Sequence, residues 1–236
     1  MQGLDFERTK AEAERGNISA QYNLGVMCEN GLGAPQDYAQ AAHWYRRAAE
    51  QGDAEAQSNL GVLYDTGRGV PQDHVQAVRW YRKAASQGHA AAQYNLALMY
   101  DNGMGVPQND AEAAVWYRKA AEQGKPEAQS NLGCMYARSR GMAQNFAEAV
   151  KWNREAAEQG FAQAQHNLGV LYAKGQGAPM DLIEAYKWFA LAAAQHYEPA
   201  VNVLYMFTQA MSPAQIAEAR RRVAAHQKKL SAPSQS

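Results

Sequence analysis

The 236-residue chain lacks several features that define common classes of protein. Its two cysteines cannot form a disulfide framework, so the fold has to rest on packing. Its 23 basic and 23 acidic side chains cancel, which argues against nucleic acid as the main partner because phosphate binding needs a basic excess. No apolar run approaches the ~20 residues that cross a bilayer, so we expect no membrane insertion. The N-terminal stretch lacks the apolar middle of a signal peptide, so we expect a cytoplasmic protein, or a periplasmic or secreted one if Met1 replaces a removed leader.

Motifs of catalysis are also missing from the sequence. It has no glycine-rich phosphate loop, no Gly-x-Ser-x-Gly elbow, no His-Glu-x-x-His, no Cys-x-x-Cys and no Ser-x-x-Lys pair. The six histidines show no metal-ligand spacing, and Cys28 and Cys134 lie too far apart along the chain for us to expect a disulfide. We therefore predict no enzymatic activity, no metal and no cofactor.

What the chain does have is a strict period of 36 residues. The five tryptophans share it: Trp44, Trp80, Trp116, Trp152 and Trp188. A column of leucines has the same spacing: Leu24, Leu60, Leu96, Leu132 and Leu168. A fixed period of this size indicates a tandem repeat architecture.

Each unit predicts two helices. Apolar residues at i, i+4 and i+8, beginning with Ala20, form one face of the first helix. Asp37 with Gln40 predicts a capping box at the start of the second helix, which should stop at Gly52. We expect Gly25, the small residue after the leucine, to let a neighbouring backbone approach closely, and we expect the tryptophans to point inward.

The combined pattern Ala-x-x-x-Leu-Gly-x-x-Tyr, Gly-x-Gly-x-Pro-x-Asp and Ala-x-x-Trp-Tyr-x-x-Ala-Ala-x-x-Gly resembles the Sel-1-like repeat family, relatives of tetratricopeptide repeats. The resemblance implies an all-α, right-handed α-α superhelical solenoid whose first helices line a concave groove. It also implies a scaffold or adaptor that binds a protein or peptide, in a bacterial signalling, envelope or host-interaction complex. Cysteine-rich relatives described as β-lactamase-like or penicillin-binding supply an alternative, but this chain lacks their paired cysteines.

The period divides the chain into one solenoid domain. We predict an N-terminal half-repeat at 1–16, five repeats at 17–52, 53–88, 89–124, 125–160 and 161–196, a modified C-terminal repeat at 197–230 and a disordered tail at 231–236. The C-terminal segment should cover Ala190 and Leu191, which replace a charged pair in repeat five, and its last helix should begin with a capping box at Ser212. These residues also offer a self-associating structural module as an alternative, so we expect a monomer or weak self-association. The loop from Ala137 to Ala143 is the least regular, through drift or through partner contact.

One asparagine per repeat should face the concave groove. The column is Asn23, Asn59, Asn95, Asn131 and Asn167. An amide offers a donor and an acceptor, which suits the backbone of an extended peptide. The alternative is that each asparagine holds neighbouring repeats together.

Variable columns surround the asparagines, as expected of positions that set specificity. One column reads Tyr22, Ser58, Tyr94, Ser130 and His166. The next two read Glu29, Asp65, Asp101, Ala137 and Ala173, and Asn30, Thr66, Asn102, Arg138 and Lys174. The groove should then be acidic over repeats one to three and basic over four and five, which would orient a partner of opposite polarity. The alternative is that these charges only solvate helix ends.

A ridge of basic residues follows the tryptophans on the second helices. Arg46 has Glu50 four residues further on, and Arg118 and Arg154 have a glutamate at the same spacing. We therefore expect a solvated, charge-paired face there rather than a nucleic-acid surface.

Overall fold

A computed structural model describes residues 6–231, which form thirteen α-helices and no strand. After α1 (Phe6–Glu14) come five helix pairs, and α12 (Glu198–Ala210) and α13 (Pro213–Ser231) follow them. The pairs are α2 (Ile18–Asn30) and α3 (Tyr38–Glu50), α4 (Ala54–Thr66) and α5 (His74–Ser86), α6 (Ala90–Asn102) and α7 (Asp110–Glu122), α8 (Pro126–Arg138) and α9 (Phe146–Glu158), and α10 (Ala162–Lys174) and α11 (Leu182–Ala193). We call the first helix of each pair the A helix and the second the B helix.

The ends of the predicted domain scheme are only partly described. The N-terminal half-repeat is described from Phe6 onward, where it contains α1. The tail predicted at 231–236 lies outside the described residues except for Ser231, which ends α13 and so is helical rather than disordered. Within residues 6–231, no helix combines the length and the apolar character that crossing a membrane requires.

The chain forms two compact units that are described separately. The first extends to Lys119 and the second begins at Ala120, so the boundary falls near the end of α7. The first unit therefore holds repeats one and two and most of repeat three. The second holds repeats four and five and the C-terminal helices.

The predicted capping residues begin the B helices, but one of the two predicted hydrogen bonds is replaced by another. The Asp37 side chain accepts from the backbone N–H groups of Ala39 and Gln40, as a capping residue should. The predicted return bond from Gln40 is not used, because the Asp37 N–H donates to the Cys28 carbonyl of the preceding A helix at 2.9 Å. The same backbone bond recurs in the other repeats, from Asp73 to Tyr64, Asn109 to Tyr100, Asn145 to Tyr136 and Asp181 to Tyr172. It fixes the loop between the two helices of each repeat.

A full capping box does form at α13, as predicted. The Ser212 N–H donates to the Gln215 side chain at 2.9 Å, and the Gln215 N–H donates to the Ser212 hydroxyl at 3.3 Å. Pro213 is the first helical residue. Met211, between α12 and α13, and Ala219 of α13 belong to a cluster that packs against Ala190, so the predicted C-terminal cover is confirmed for Ala190.

The irregular loop of repeat four keeps the backbone conformation of the other loops. Ser139 takes the left-handed conformation, with φ of 57°, at the position where Gly31 has φ of 68°. Its hydroxyl donates to the Met142 carbonyl at 3.2 Å, which stabilises the turn. The sequence change in this loop therefore does not break the repeat.

The residue after each tryptophan, a tyrosine in repeats one to three, lies deeper than the tryptophan itself. Tyr45 and Tyr81 are almost fully buried, and Phe189 takes this position in repeat five. Trp80 and Trp116 are only half-buried, but both pack against the hydrophobic core, so the inward orientation predicted for the tryptophans holds for these two as well. The ammonium group of Lys83 lies 4.1 Å from the centre of the Trp80 ring, which keeps one face of the indole in contact with a cation.

Glycine permits close approach at two places in each repeat, and only one involves backbone. A Cβ on Gly61 would lie 2.7 Å from ring carbons of Tyr81, so the prediction of a neighbouring backbone at this column is wrong; the neighbour is the buried ring. The loop glycine Gly69 does meet backbone: a Cβ there would lie 2.2 Å from the Tyr38 carbonyl of the preceding repeat. Glycine at both positions lets elements pack without an intervening side chain.

A buried glutamine on each A helix joins one repeat to the preceding one. Gln57 donates to the Ala49 carbonyl of α3 at 3.0 Å and accepts from Gln87, at the end of α5, at 2.8 Å. The bond to the preceding carbonyl recurs from Gln21 to Ala13, Gln93 to Ala85, Gln129 to Ala121 and Gln165 to Ala157. Each of these carbonyls also accepts a backbone N–H from the end of its own helix, so the glutamine amide adds a second bond that ties the A helix to the preceding helix.

Replacing Gln57 by alanine should lower the free energy of unfolding by about 1–3 kcal/mol, because the two hydrogen bonds that Gln57 makes to Ala49 and Gln87 are both lost. The control is Gln72→Ala, since Gln72 is exposed and its single bond is to the Asp65 carbonyl. It should cost less than about 1 kcal/mol. Urea denaturation followed by circular dichroism measures both, and equal losses would show that the buried glutamine does not join the repeats.

Candidate functional site

The five asparagines predicted to line a groove are all half-buried. Each lies on an A helix directly before the buried leucine of its repeat. None is covered by its own repeat, so each amide has part of its surface available to a neighbouring repeat or to a partner. The five residues are Asn23, Asn59, Asn95, Asn131 and Asn167.

Three of these amides lie close to polar groups of the preceding repeat. Asn59 lies within hydrogen-bonding reach of the Tyr22 and Tyr45 hydroxyls, and Asn95 within reach of the Tyr81 hydroxyl. Asn167 donates to the Ser130 hydroxyl at 3.4 Å and to the Cys134 sulfur at 3.2 Å. These contacts favour the interpretation that the asparagines hold the stack. They leave the half-exposed surface of each amide to be tested for binding.

The acidic column anchors the buried tyrosines of the first unit. The Tyr45 hydroxyl donates to the Glu29 carboxylate at 2.6 Å, and the Asp65 carboxylate lies close to the Tyr81 hydroxyl in the next repeat. Burial, and then the carboxylate, raise the pKa of both phenols, so they stay protonated donors. The expected alternatives were partner contact or simple solvation; instead, these acids have structural partners inside the repeat. They also keep part of their surface in solvent.

The acid and the tyrosine change together along the chain. Where the acid is Asp101, the B helix supplies Tyr117, and the two bond at 3.1 Å. Where the acidic position is Ala137, the B helix has Asn153, and where it is Ala173, the B helix has Phe189. Loss of the carboxylate therefore accompanies loss of the phenol, because a buried hydroxyl needs an acceptor.

In the most variable column, the tyrosine side chains are half-buried and the serine side chains are fully buried. The Tyr22 ring lies 6.0 Å from the Tyr45 ring, and Tyr94 lies 5.9 Å from Tyr117, with both outer rings half-buried. The hydroxyl-bearing residues Ser58 and Ser130, in contrast, are 3% and 0% exposed, so the structure places them out of reach of solvent.

His166 is the member of this column in repeat five. Its ring lies 5.4 Å from the Phe189 ring and 5.6 Å from the Tyr197 ring. Burial lowers the pKa of the imidazole, so the neutral form is favoured.

Charges on the third column differ between the units. In the first unit, Asn30, Thr66 and Asn102 bond to carbonyls of their own helices, so the A-helix face owes its charge to Glu29, Asp65 and Asp101. In the second unit, Arg138 and Lys174 are exposed on the A-helix face. Each unit thus presents one sign of charge on this face.

Basic residues of the B helices bond to the next repeat. Arg46 donates to the Tyr64 hydroxyl at 2.7 Å and Arg82 to the Tyr100 hydroxyl at 2.8 Å. Arg154 donates to Tyr172 in the same way. The expected interpretation, a charged face paired within each helix, therefore misses the main role of these arginines, which is to link consecutive repeats.

The described part of the chain has few groups that could act as nucleophiles or bind a metal ion. Both cysteines are free thiols, as expected, and burial raises the pKa of Cys28 and Cys134, so the protonated form is favoured at neutral pH. Between Phe6 and Ser231, no group of three or more His, Cys, Asp or Glu side chains could hold a metal ion.

Tandem pairs of 13-residue helices, joined by Gly-x-Gly loops and stacked through buried amides, define a helical repeat protein. The Sel1 repeat family model matches residues 18–53, 54–89, 90–125, 126–161 and 162–197. The chain belongs to the Sel1 repeat family, and its fold class is the all-α helical solenoid. Each match begins one residue after the repeat boundary expected from the tryptophan period. Members of this family are commonly protein-interaction scaffolds and are generally not enzymes.

Solved structures and a curated protein show the same resemblance. The chain is 38% identical to c5321, described as a protective antigen present in uropathogenic Escherichia coli strains and displaying an SLR fold, with a TM-score of 0.82 over 92% of this chain and 48% of that one. It is also 38% identical to a Sel1 repeat protein from Oxalobacter formigenes, with a TM-score of 0.75 over 80% of this chain and 76% of that one. A 39-residue segment, 16% of this chain and 3% of the other, is 49% identical to the chitin synthase regulator SKT5 of Malassezia restricta. The chain thus spans about half the length of the E. coli relative and a small part of the fungal one.

Replacing Asn59 by alanine should lower the free energy of unfolding by about 1 kcal/mol, because its amide lies within hydrogen-bonding reach of two tyrosine hydroxyls of the preceding repeat. Asn102→Ala is the matched control, since that exposed amide bonds only to the Leu98 carbonyl of its own helix. The control should change stability little and corrects for the higher helix propensity of alanine. Thermal and urea denaturation measure the difference; if the two variants behave alike, Asn59 does not hold the stack.

Acidification should destabilise the fold through His166 and His226. Burial lowers the pKa of both imidazoles, whereas in the unfolded chain a histidine titrates near pH 6.5. The unfolded chain then binds more protons, so stability is full above about pH 6.5 and falls as the pH drops from there toward the lowered pKa values. His166→Tyr, which restores the residue of repeats one and three, should reduce the loss measured by urea denaturation at about pH 7 and about pH 5.5. His43→Gln, at an exposed position, should leave the loss of stability on acidification unchanged. If His166→Tyr also leaves that loss unchanged, burial of His166 is not the cause of the loss.

Proposed function

We propose that this chain is a non-catalytic scaffold whose A-helix faces bind segments of other proteins. The observation that carries the proposal is a difference between the buried side and the exposed side of each A helix. The buried side is the same in every repeat, with its leucine, small residue and glutamine, while exposed or half-exposed side chains beside the constant asparagines, such as Glu29, Tyr94 and Arg138, differ between repeats. Constant packing beneath a varying polar face is the arrangement expected of an interaction surface built on a rigid frame.

The two units have different preferences under this proposal. The first presents Glu29, Asp65 and Asp101 on its A-helix face and should prefer a basic segment. The second presents Arg138 and Lys174 and should prefer an acidic one. Charge complementarity of this kind mainly raises the rate of association and determines which partner is bound. Tyr22, Tyr94 and the half-exposed asparagine amides would supply stacking and hydrogen bonds to the bound backbone.

The setting of this activity is also a proposal. The E. coli relative is described as a protective antigen, so we extend an envelope or host-interaction role to the present chain. Binding of a protein segment requires no cofactor and no nucleic acid, and the balanced net charge agrees with this partner class.

A random peptide library displayed on phage, selected against the full chain, tests the proposal. Selected peptides should be rich either in basic or in acidic residues. Replacing Asp65 and Asp101 together by asparagine keeps the acceptors for the buried tyrosines, and should weaken binding of basic peptides by about three- to tenfold in isothermal titration calorimetry.

The control for this experiment removes the same charge from the B helices. Glu50→Gln with Glu122→Gln changes exposed acids away from the A-helix face and should leave peptide affinity unchanged. Equal losses in the two double variants, or a library that yields no binder, would refute binding at the A-helix face.

A further inference from the structure

A cleft of about 390 Å³ opens between α8, α9 and α10 in the second unit. Asn153, Cys134 and Asn167 contribute to its lining, together with the apolar side chains of Phe146 and Leu171. We call it the repeat-four cleft. Its volume lies within the range of roughly 300–1,000 Å³ that is typical of ligand sites in proteins.

The cleft occurs where repeat four departs from the pattern of the earlier repeats. In repeats one and two, the position of Asn153 holds Tyr45 or Tyr81, whose ring carbons press against the glycine of the A helix. Asn153 is shorter, and only its amide group reaches Gly133. Ala137 likewise replaces the carboxylate that would receive a tyrosine hydroxyl. The substitutions therefore open space and remove a negative charge at one place.

Buried polar atoms in this cleft lack a partner. Asn153 is 1% exposed, and its Nδ2 donates to the Ala149 carbonyl at 2.8 Å, which settles the orientation of the amide. Its Oδ1 is buried without a hydrogen-bond partner among the described residues, and so is Nδ1 of His166, which also lines the cleft. A buried acceptor without a donor is uncommon in native structures and indicates a group that a ligand would satisfy.

The charge of the cleft is positive. Arg138 and Lys174 both line it, and no acidic side chain lies among the described residues that do. His166 favours its neutral form and Cys134 its thiol form, because burial shifts the pKa of each in that direction. A bound group should therefore be an anion, and it should carry a hydrogen-bond donor for the Asn153 oxygen.

We propose that the repeat-four cleft binds a carboxylate of the partner segment, paired with Arg138 and Lys174, while a neighbouring backbone N–H of that segment donates to Oδ1 of Asn153. A peptide supplies both groups within a few bonds of each other, and its aliphatic atoms would contact Val170 and Leu171. The carboxylate can be an acidic side chain or a free C-terminus, since both present the same chemistry. This inference rests on the proposed function and names the ligand chemistry of one of its two faces.

Three fluorescent peptides of otherwise identical neutral sequence test the inference on the full chain. One has a free C-terminal carboxylate, one is amidated with an internal glutamate, and one is amidated without any acid. In fluorescence anisotropy at least one of the first two should bind about tenfold more tightly than the third, and which one does so identifies the source of the carboxylate. Equal binding of all three would overturn the inference.

Variants locate the binding. Arg138→Ala with Lys174→Ala alters exposed side chains and should reduce binding of the carboxylate peptides to that of the neutral one. Arg79→Ala with Lys151→Ala removes the same charges outside the cleft and should have no effect. Asn153→Tyr restores the side chain of the first three repeats, fills the cleft and should abolish binding in a chain whose circular dichroism is unchanged. Persistent binding in the Arg138 and Lys174 double variant overturns the inference even if Asn153→Tyr does not fold.

Two further outcomes separate the possibilities. Inorganic phosphate should displace the peptides poorly, and displacement at equal concentration would show a general anion site and overturn the peptide assignment. If library peptides bind the first unit while no carboxylate peptide binds the cleft, this inference fails and the proposed function stands. If no peptide of either kind binds, both fail.

Discussion

Stacking of each repeat on the next depends on a glutamine amide buried where three helices meet. Gln57 donates to a carbonyl of α3 and accepts from Gln87 at the end of α5, and the same bonds recur with the repeat period within each unit. Because the amide has both a donor and an acceptor, a single side chain sets the register between neighbouring B helices. The apolar core is made largely of alanine and leucine, and these polar bonds add directional contacts to its packing.

The side chains on the A-helix faces depend on which residues are buried in the core beneath them. A tyrosine can be buried under the face only if an acid receives its hydroxyl, as Glu29 does for Tyr45. Where the tyrosine is lost, the acid is lost too, and a cleft lined by Arg138 of repeat four and Lys174 of repeat five opens beside Asn153. A change in one buried position therefore alters the shape and the charge of the surface together. This coupling explains how repeats of one fold come to present different faces.

Periodicity alone predicted the helix pairs and the capping aspartate of the first B helix, because these depend on residues close in sequence. It also predicted the capping box of α13. The glutamine column is as regular as the asparagine column, but its role in joining the repeats does not follow from periodicity. The predicted box at Asp37 was half wrong, since its N–H bonds to Cys28, nine residues earlier in the chain. Competition between two acceptors for one donor is decided only when the helices are in place.

The sequence by itself determined that this protein is a run of 36-residue helix pairs, because the spacing of small, apolar and capping residues is a local property repeated five times. Only the tertiary structure decided which polar side chains serve the stack and which remain for a partner. Ser58 and Ser130 occupy positions equivalent to Tyr22 yet are buried, and the acids turned out to anchor tyrosines. Burial and the choice of hydrogen-bond partner depend on side chains from neighbouring repeats, which no single period of the sequence contains.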